Sequence, residues 1–173
     1  MALRTILTGD DPTLHKKCRP VTEFNQRLWN LIDDLKETLA DAEGAGLAAP
    51  QIGILRRVAI VVNAEEEMLE LVNPVVIDQE GAYEDYEGCL SVPDQWGEVL
   101  RPTKVRIRAQ DRTGKEFEVD GENMTARCFC HEIEHLDGHL FTERTSQLYT
   151  TEELDATLES EGKKRGKRGR KKR

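Results

Sequence analysis

The sequence has no apolar run long enough to cross a bilayer. Its longest lies near VAIVV, residues 58–62, whereas a spanning helix needs about 20 apolar residues. The opening MALRTILTGDDP lacks the apolar core of a secretory signal. Four cysteines, at 18, 89, 128 and 130, show no paired spacing. That excludes a disulfide framework and points to a reducing cytoplasm. Histidine is scarce, with four in 173 residues, and there is no internal repeat. What remains is one polar globular domain, 38% hydrophobic and 34% charged, long enough to bury a substantial core.

Charge is divided unevenly. KKRGKRGRKKR (163–173) holds 9 of the 25 Lys and Arg residues and no acid. The preceding 162 residues carry 16 basic against 33 acidic groups, a formal −17, which the net −8 conceals. Such a body repels phosphate, so a nucleic-acid-binding domain is disfavoured. Beyond Ser160 the Gly/Lys/Arg composition cannot bury enough apolar surface to fold, and a disordered tail over 161–173 is expected.

The apolar spacing of Phe24, Leu28, Leu31, Ile32, Leu35 and Leu39 predicts a helix, with Thr22 as its N-cap and Gly44 and Gly46 as its stop. RVAIVV and LELVNPVVI read as strands. KVRIRAQDRTGKEFEV alternates, turns at Asp111–Gly114 and alternates again, which is a hairpin. A helix from about Thr125 to Leu136 follows, and a last one starts at Thr150 with Glu153 completing a capping box. The order of helix, strands and helix gives an α+β class.

CHEIEHLDGHL (130–140) carries the chemistry. His131 and His135, one helical turn apart, can converge on one metal ion with Glu132 between them as a base. Two histidines at this spacing also occur as ordinary helix-surface residues, but Glu132 and the scarcity of histidine favour a metal. The pattern runs on as H-E-x-x-H-x-x-G through Gly138, and a metzincin would need a histidine at position 141, which is Phe141. His139 comes two residues early and reads as a surface or rim residue. Glu143, Glu152 and Glu153 stay open as an acidic third ligand. Cys128 shares a helical face with His131 but lies about 10 Å along the axis from His135, so it reads as a buried small hydrophobe. Cys130 points to another face, and Cys18 has no partner motif. The residues around Cys89 by themselves describe a lone buried cysteine.

GAGLAAPQIG (44–53), EGCLS (87–91) and HEIEHLDG (131–138), in this order, resemble the three signature blocks of peptide deformylases, and the similarity extends over roughly residues 5–142. The resemblance implies antiparallel sheets packed around the HExxH helix, within a catalytic domain spanning 1–160. It implies Cys89, His131 and His135 as ligands of one divalent metal, Fe(II) in preference to Zn(II), Ni(II) or Co(II). The implied reaction removes the formyl group from the N-terminal formyl-methionine of new proteins, with broad tolerance after the first residue. Glu132 would serve as general base and acid, and the Gln51 amide and Leu90 backbone N–H would stabilise the oxyanion. Gly44, Gly46 and Gly88 would line the peptide groove, and Cys128, with Arg127, the methionine pocket. N-formylmethionyl peptides are the implied substrates. The tail would either remain a solvated end or touch ribosomal RNA, and no membrane partner is expected.

Four positions depart from the usual pattern of that family. Glu134 stands where Asp is common, Cys130 where Gln is frequent, His139 where an apolar residue is usual, and Trp96 at a groove-rim position that often holds a smaller or basic residue. Glu134 keeps the charge of a carboxylate behind the ligands but moves it by one methylene. The departures bear on substrate preference and redox sensitivity.

Overall fold

Helix α1, Gln26–Ala42, forms where the apolar spacing predicts it and buries Leu28, Leu31, Ile32, Leu35 and Leu39. This computed structural model describes residues 2–162, so the basic run 163–173 lies outside the described residues. The N-cap of α1 is Asn25, whose side chain accepts from the Leu28 N–H at 3.3 Å, and not Thr22. Asn25 directly precedes the helix and caps as well as threonine does, so the nearer residue takes the role. The helix stops at Glu43, in left-handed conformation with φ 53°, and the Gly44 N–H then closes onto the Leu39 carbonyl.

Five strands make one antiparallel sheet: β1 Gly46–Ala48, β2 Val58–Val62, β3 Met68–Glu80, β6 Lys104–Gln110 and β7 Glu116–Glu122, in the order β1-β2-β3-β6-β7. The unbroken apolar run of β2 has a direct cause. Val58 and Ile60 pack with α1 on one face, while Val61 packs with helix α2, Met124–Leu136, on the other. A strand covered on both faces needs no polar alternation. The hairpin β6–β7 pairs Lys104 with Glu122 through Gln110 with Glu116, and the Asp111 side chain accepts from the Thr113 and Lys115 N–H groups in its turn.

A second, two-stranded ribbon pairs β4, Tyr83–Cys89, with β5, Val92–Arg101. Its second strand lacks a strand signal in the sequence: Pro93, Asp94 at φ 59° and Gly97 give it the composition of a turn. Helix α3, Thr151–Ser160, begins with the expected Thr150–Glu153 capping box. Its Leu154 and Leu158 pack on Trp96, whose indole N–H donates to Thr151 Oγ1 at 2.9 Å. Trp96 is therefore core, 1% exposed, and not a rim residue as its position in the family pattern suggests. The reason is α3, which covers the ring.

Candidate metal centre

Packing against the sheet through Ala126, Cys128 and Phe129 gives α2 a buried face, and His131 and His135 lie within it. Their Nε2 atoms stand 3.2 Å apart. Cys89, the last residue of β4, brings Sγ to 3.3 Å from His135 Nε2. All three donor atoms lie within 4.8 Å of one another, and all three residues are buried. Tetrahedral metal–nitrogen and metal–sulfur bonds of the usual lengths put donors roughly 3.4–3.6 Å apart. The residues fit one ion.

The electrostatics favour a cation. Burial opposes ionisation of Cys89, yet His135 and His131 beside it hold the thiol well below its ordinary pKa. Burial likewise disfavours charge on His131, but Glu132, Cys89 and Glu87 around it push its pKa up to about 10. Cys89, Glu87 and Glu132 thus crowd acidic groups around a position that suits a cation. A metal ion held there would supply positive charge in place of an imidazole proton.

The neighbours define a reaction space. Glu132 is 2% exposed, and its Oε1 is buried without a hydrogen-bond partner among the described residues. Gln51 sits in the 3₁₀ turn Ala49–Ile52, where its Oε1 accepts from the Ala48 N–H at 2.9 Å. Its Nε2 donates to Ser91 Oγ at 3.0 Å and stands 3.6 Å from Cys89 Sγ. Leu90 follows Cys89 in the turn that joins β4 to β5. Each expected groove glycine also has an internal role, because a Cβ on Gly44 would meet Leu90, one on Gly46 Glu132, and one on Gly88 Trp96. The backbone at Gly46 runs against the Glu132 carboxylate, which leaves no room for a side chain.

The other sequence candidates sit elsewhere. Cys128 lies in the apolar cluster between α2 and the sheet, and Cys130 is partly exposed. Cys18 is buried, and burial pushes its thiol up to about 11. His139 pairs at 3.1 Å with Glu143, which also caps the Leu140 N–H. Glu153 caps α3 and Glu152 is exposed on it, so neither joins the donor cluster.

Sequence reasoning missed Glu87. Its Oε1 lies 2.9 Å from His131 Nδ1, and Arg101 and Arg127 each donate to its Oε2 at 2.8 Å. Its position two residues before Cys89 on a strand was the available signal, since such residues share a face. Arg127, named beside Cys128 for the methionine pocket, is 1% exposed, and its guanidinium donates to Glu87, the Val99 carbonyl and the Tyr83 carbonyl.

A cysteine sulfur and two imidazoles converging beside a buried carboxylate with one oxygen unpartnered among the described residues define the class of mononuclear metallohydrolase centres. A sequence profile described as "Polypeptide deformylase" matches residues 3–151. The peptide deformylase of Caldicellulosiruptor bescii is 51% identical over 155 residues, covering 90% of this chain and 93% of that protein. That of Heliobacterium modesticaldum is 52% identical, covering 83% and 95%. A crystal structure of a peptide deformylase from Legionella pneumophila superposes with a TM-score of 0.81 at 39% identity, covering 95% of this chain and all of that one. The peptide deformylase of Ehrlichia chaffeensis in complex with actinonin gives a TM-score of 0.82 at 31% identity, covering 85% and 91%. This chain belongs to the peptide deformylase family. Its activity is the metal-dependent removal of the N-formyl group from nascent peptides.

Proposed function

We propose that Cys89, His131 and His135 hold the metal, with Fe(II) as the resident ion and Zn(II), Ni(II) and Co(II) as ions the same donors accept. The convergence of the three donor atoms carries this reading. A divalent ion held there supplies a Lewis acid, lowering the pKa of a water and polarising the formyl oxygen.

The remaining work falls to the chain. Glu132 takes the proton of the attacking water on its unpartnered Oε1 and returns it to the departing amine, so that formate and a free N-terminus leave. The Gln51 Nε2, aimed by the grip of Ala48 on its Oε1, and the Leu90 backbone N–H donate to the developing oxyanion. Among the described residues, strand β1 is the edge of its sheet and β4 pairs only with β5. An extended peptide can add to these edges along Gly44, Gly46 and Gly88, reading main chain and tolerating many sequences after the first residue. Cys128 contributes to the wall that selects the methionine side chain.

The catalytic unit spans 1–160, works in the cytoplasm, and carries the tail as a ribosome contact. The support is the charge division, +9 on 163–173 against −17 before it. A basic tail could hold ribosomal RNA phosphate while the acidic body stays clear. No described helix is long and apolar enough to cross a membrane.

Metal analysis of anaerobically purified protein, paired with a formate-release assay on formyl-methionyl peptides, tests the centre. One iron per chain with activity in proportion to it is expected, and activity independent of bound metal overturns the reading. For the tail, a chain ending at Gly162 should lose salt-sensitive co-sedimentation with ribosomes yet deformylate a free dipeptide normally. Equal binding by both chains discards the RNA contact.

A further inference from the structure

Glu87 does not stand alone behind His131. Arg101, at the end of β5 and 2% exposed, grips it with Nε at 2.8 Å and Nη2 at 3.1 Å. The remaining arm of the same guanidinium, Nη1, donates to Glu134 Oε1 at 2.8 Å. Glu134 lies on α2 between the two histidines, and its other oxygen accepts from Arg144. Arg144 ends the 3₁₀ turn Phe141–Arg144, and its side chain is 53% exposed. Charge-assisted hydrogen bonds therefore run without a break from the surface through Arg144, Glu134, Arg101 and Glu87 to the Nδ1 of His131.

We propose that Glu134 and Arg144 are positioning residues for the metal centre: they hold Arg101 in the orientation that locks Glu87 against His131. The proposal rests on the reading of His131 as a ligand. A metal-bound imidazole depends on the group that holds its other nitrogen, which sets ring orientation and basicity. Glu87 Oε1 is shared by His131 Nδ1 and Arg101 Nη2, whereas Arg127 grips only Oε2. Without the Arg101 fork, the carboxylate can pivot about the Arg127 contact and carry Oε1 away from the histidine.

The fork is itself contested. One guanidinium serves two carboxylates, and Arg144 offsets the charge of the outer one. Removing Arg144 leaves Glu134 with an uncompensated charge that draws Arg101 outward, off Glu87. Removing the Glu134 charge leaves a buried Nη1 without its ionic acceptor, which is costly in low dielectric. Both changes loosen His131 without touching a ligand. Direct partners of a ligand change metal affinity by roughly 10–100-fold, so positions one or two bonds further out should act more weakly, by about three- to tenfold.

The test uses the full chain loaded with Co(II), following ion release into excess chelator, the ligand-field spectrum of the bound ion, and kcat and KM separately. Arg144→Ala and Glu134→Gln should release the ion about three- to tenfold faster and shift the spectrum. They should lower kcat with little change in KM, and Arg144→Lys should recover most of the loss. Combined with Glu87→Gln, Arg144→Ala should add little, because both act on one chain of bonds. Unchanged release and spectrum in folded Arg144→Ala protein overturns the proposal, as does full additivity with Glu87→Gln. Should Glu87→Gln and Cys89→Ala also leave the bound ion unaffected, the ligand reading itself fails. Should those two release it while Arg144→Ala does not, only the outer relay fails.

Discussion

Two histidine–carboxylate pairs of almost equal length occur in this protein. His131 meets Glu87 at 2.9 Å and His139 meets Glu143 at 3.1 Å. The first pair has side chains 7% and 4% exposed, the second 58% and 48%. Solvent screens the exposed pair, which belongs to a type worth roughly 0–1 kcal/mol. The buried pair has no water to fall back on. Glu87 is satisfied only because Arg101, Arg127 and His131 surround it, and breaking such a network typically costs about 3–5 kcal/mol. Distance alone therefore says little about what a pair does. Burial and the neighbours decide.

The largest effect should come from Cys89, the proposed ligand at the end of β4. Cys89→Ala is expected to lose metal and formate release together, whereas Cys128→Ala should keep both, with at most an altered preference for the first side chain. Full metal occupancy in purified Cys89→Ala protein would reject the assignment. Next comes Glu132→Gln, which should retain metal but slow turnover by roughly 10²–10⁴-fold, the range for a lost general acid–base group. Near-normal formate release with metal bound removes Glu132 from the mechanism.

Glu87→Gln sharpens the comparison directly. It should weaken metal binding by roughly 10–100-fold, measured by chelator competition. Burial alone would raise the Glu87 pKa, but His131 and Arg101 hold it well below the ordinary value. A lowered folded pKa means that its contribution to stability is complete above the unfolded value of about 4.3. That contribution shrinks as pH falls below the unfolded value and is gone once pH has passed through the folded one, so the wild-type chain should outlast Glu87→Gln in acid unfolding by less and less as pH drops. A gap that widens toward acid would contradict this. The smallest effect belongs to the exposed pair. His139→Ala should change stability by less than about 1 kcal/mol and leave metal content and turnover unaltered. A loss of metal there would erase the distinction between the two pairs.

The elements that frame this contrast were legible in the amino-acid string. The three-and-four spacing placed α1 and α2, the alternation placed the β6–β7 hairpin, and Thr150 with Glu153 marked the start of α3. Each is a local signal, written within one turn or one strand. Cys89 as a candidate ligand was legible only through the EGCLS resemblance, since nothing near it in the chain names its partners. Glu87 escaped although it belongs to the same block, because its spacing from Cys89 hints at a shared face but does not say what the carboxylate meets there. Trp96 escaped for a related reason, as the helix that buries it lies more than fifty residues downstream.

The amino-acid string alone places the helix that carries His131, Glu132 and His135, because helical periodicity is a property of neighbours in the chain. It also determined that the described body is acidic, which is a matter of counting. Tertiary structure alone decided which histidine would be held and by what. Cys89 reaches His135 across 46 positions and Glu87 reaches His131 across 44. Arg101 and Arg127 arrive from a strand and a helix that share no local pattern. Charges buried at such separations are stable only when folding brings their partners into contact, so their roles come into being with the packed core.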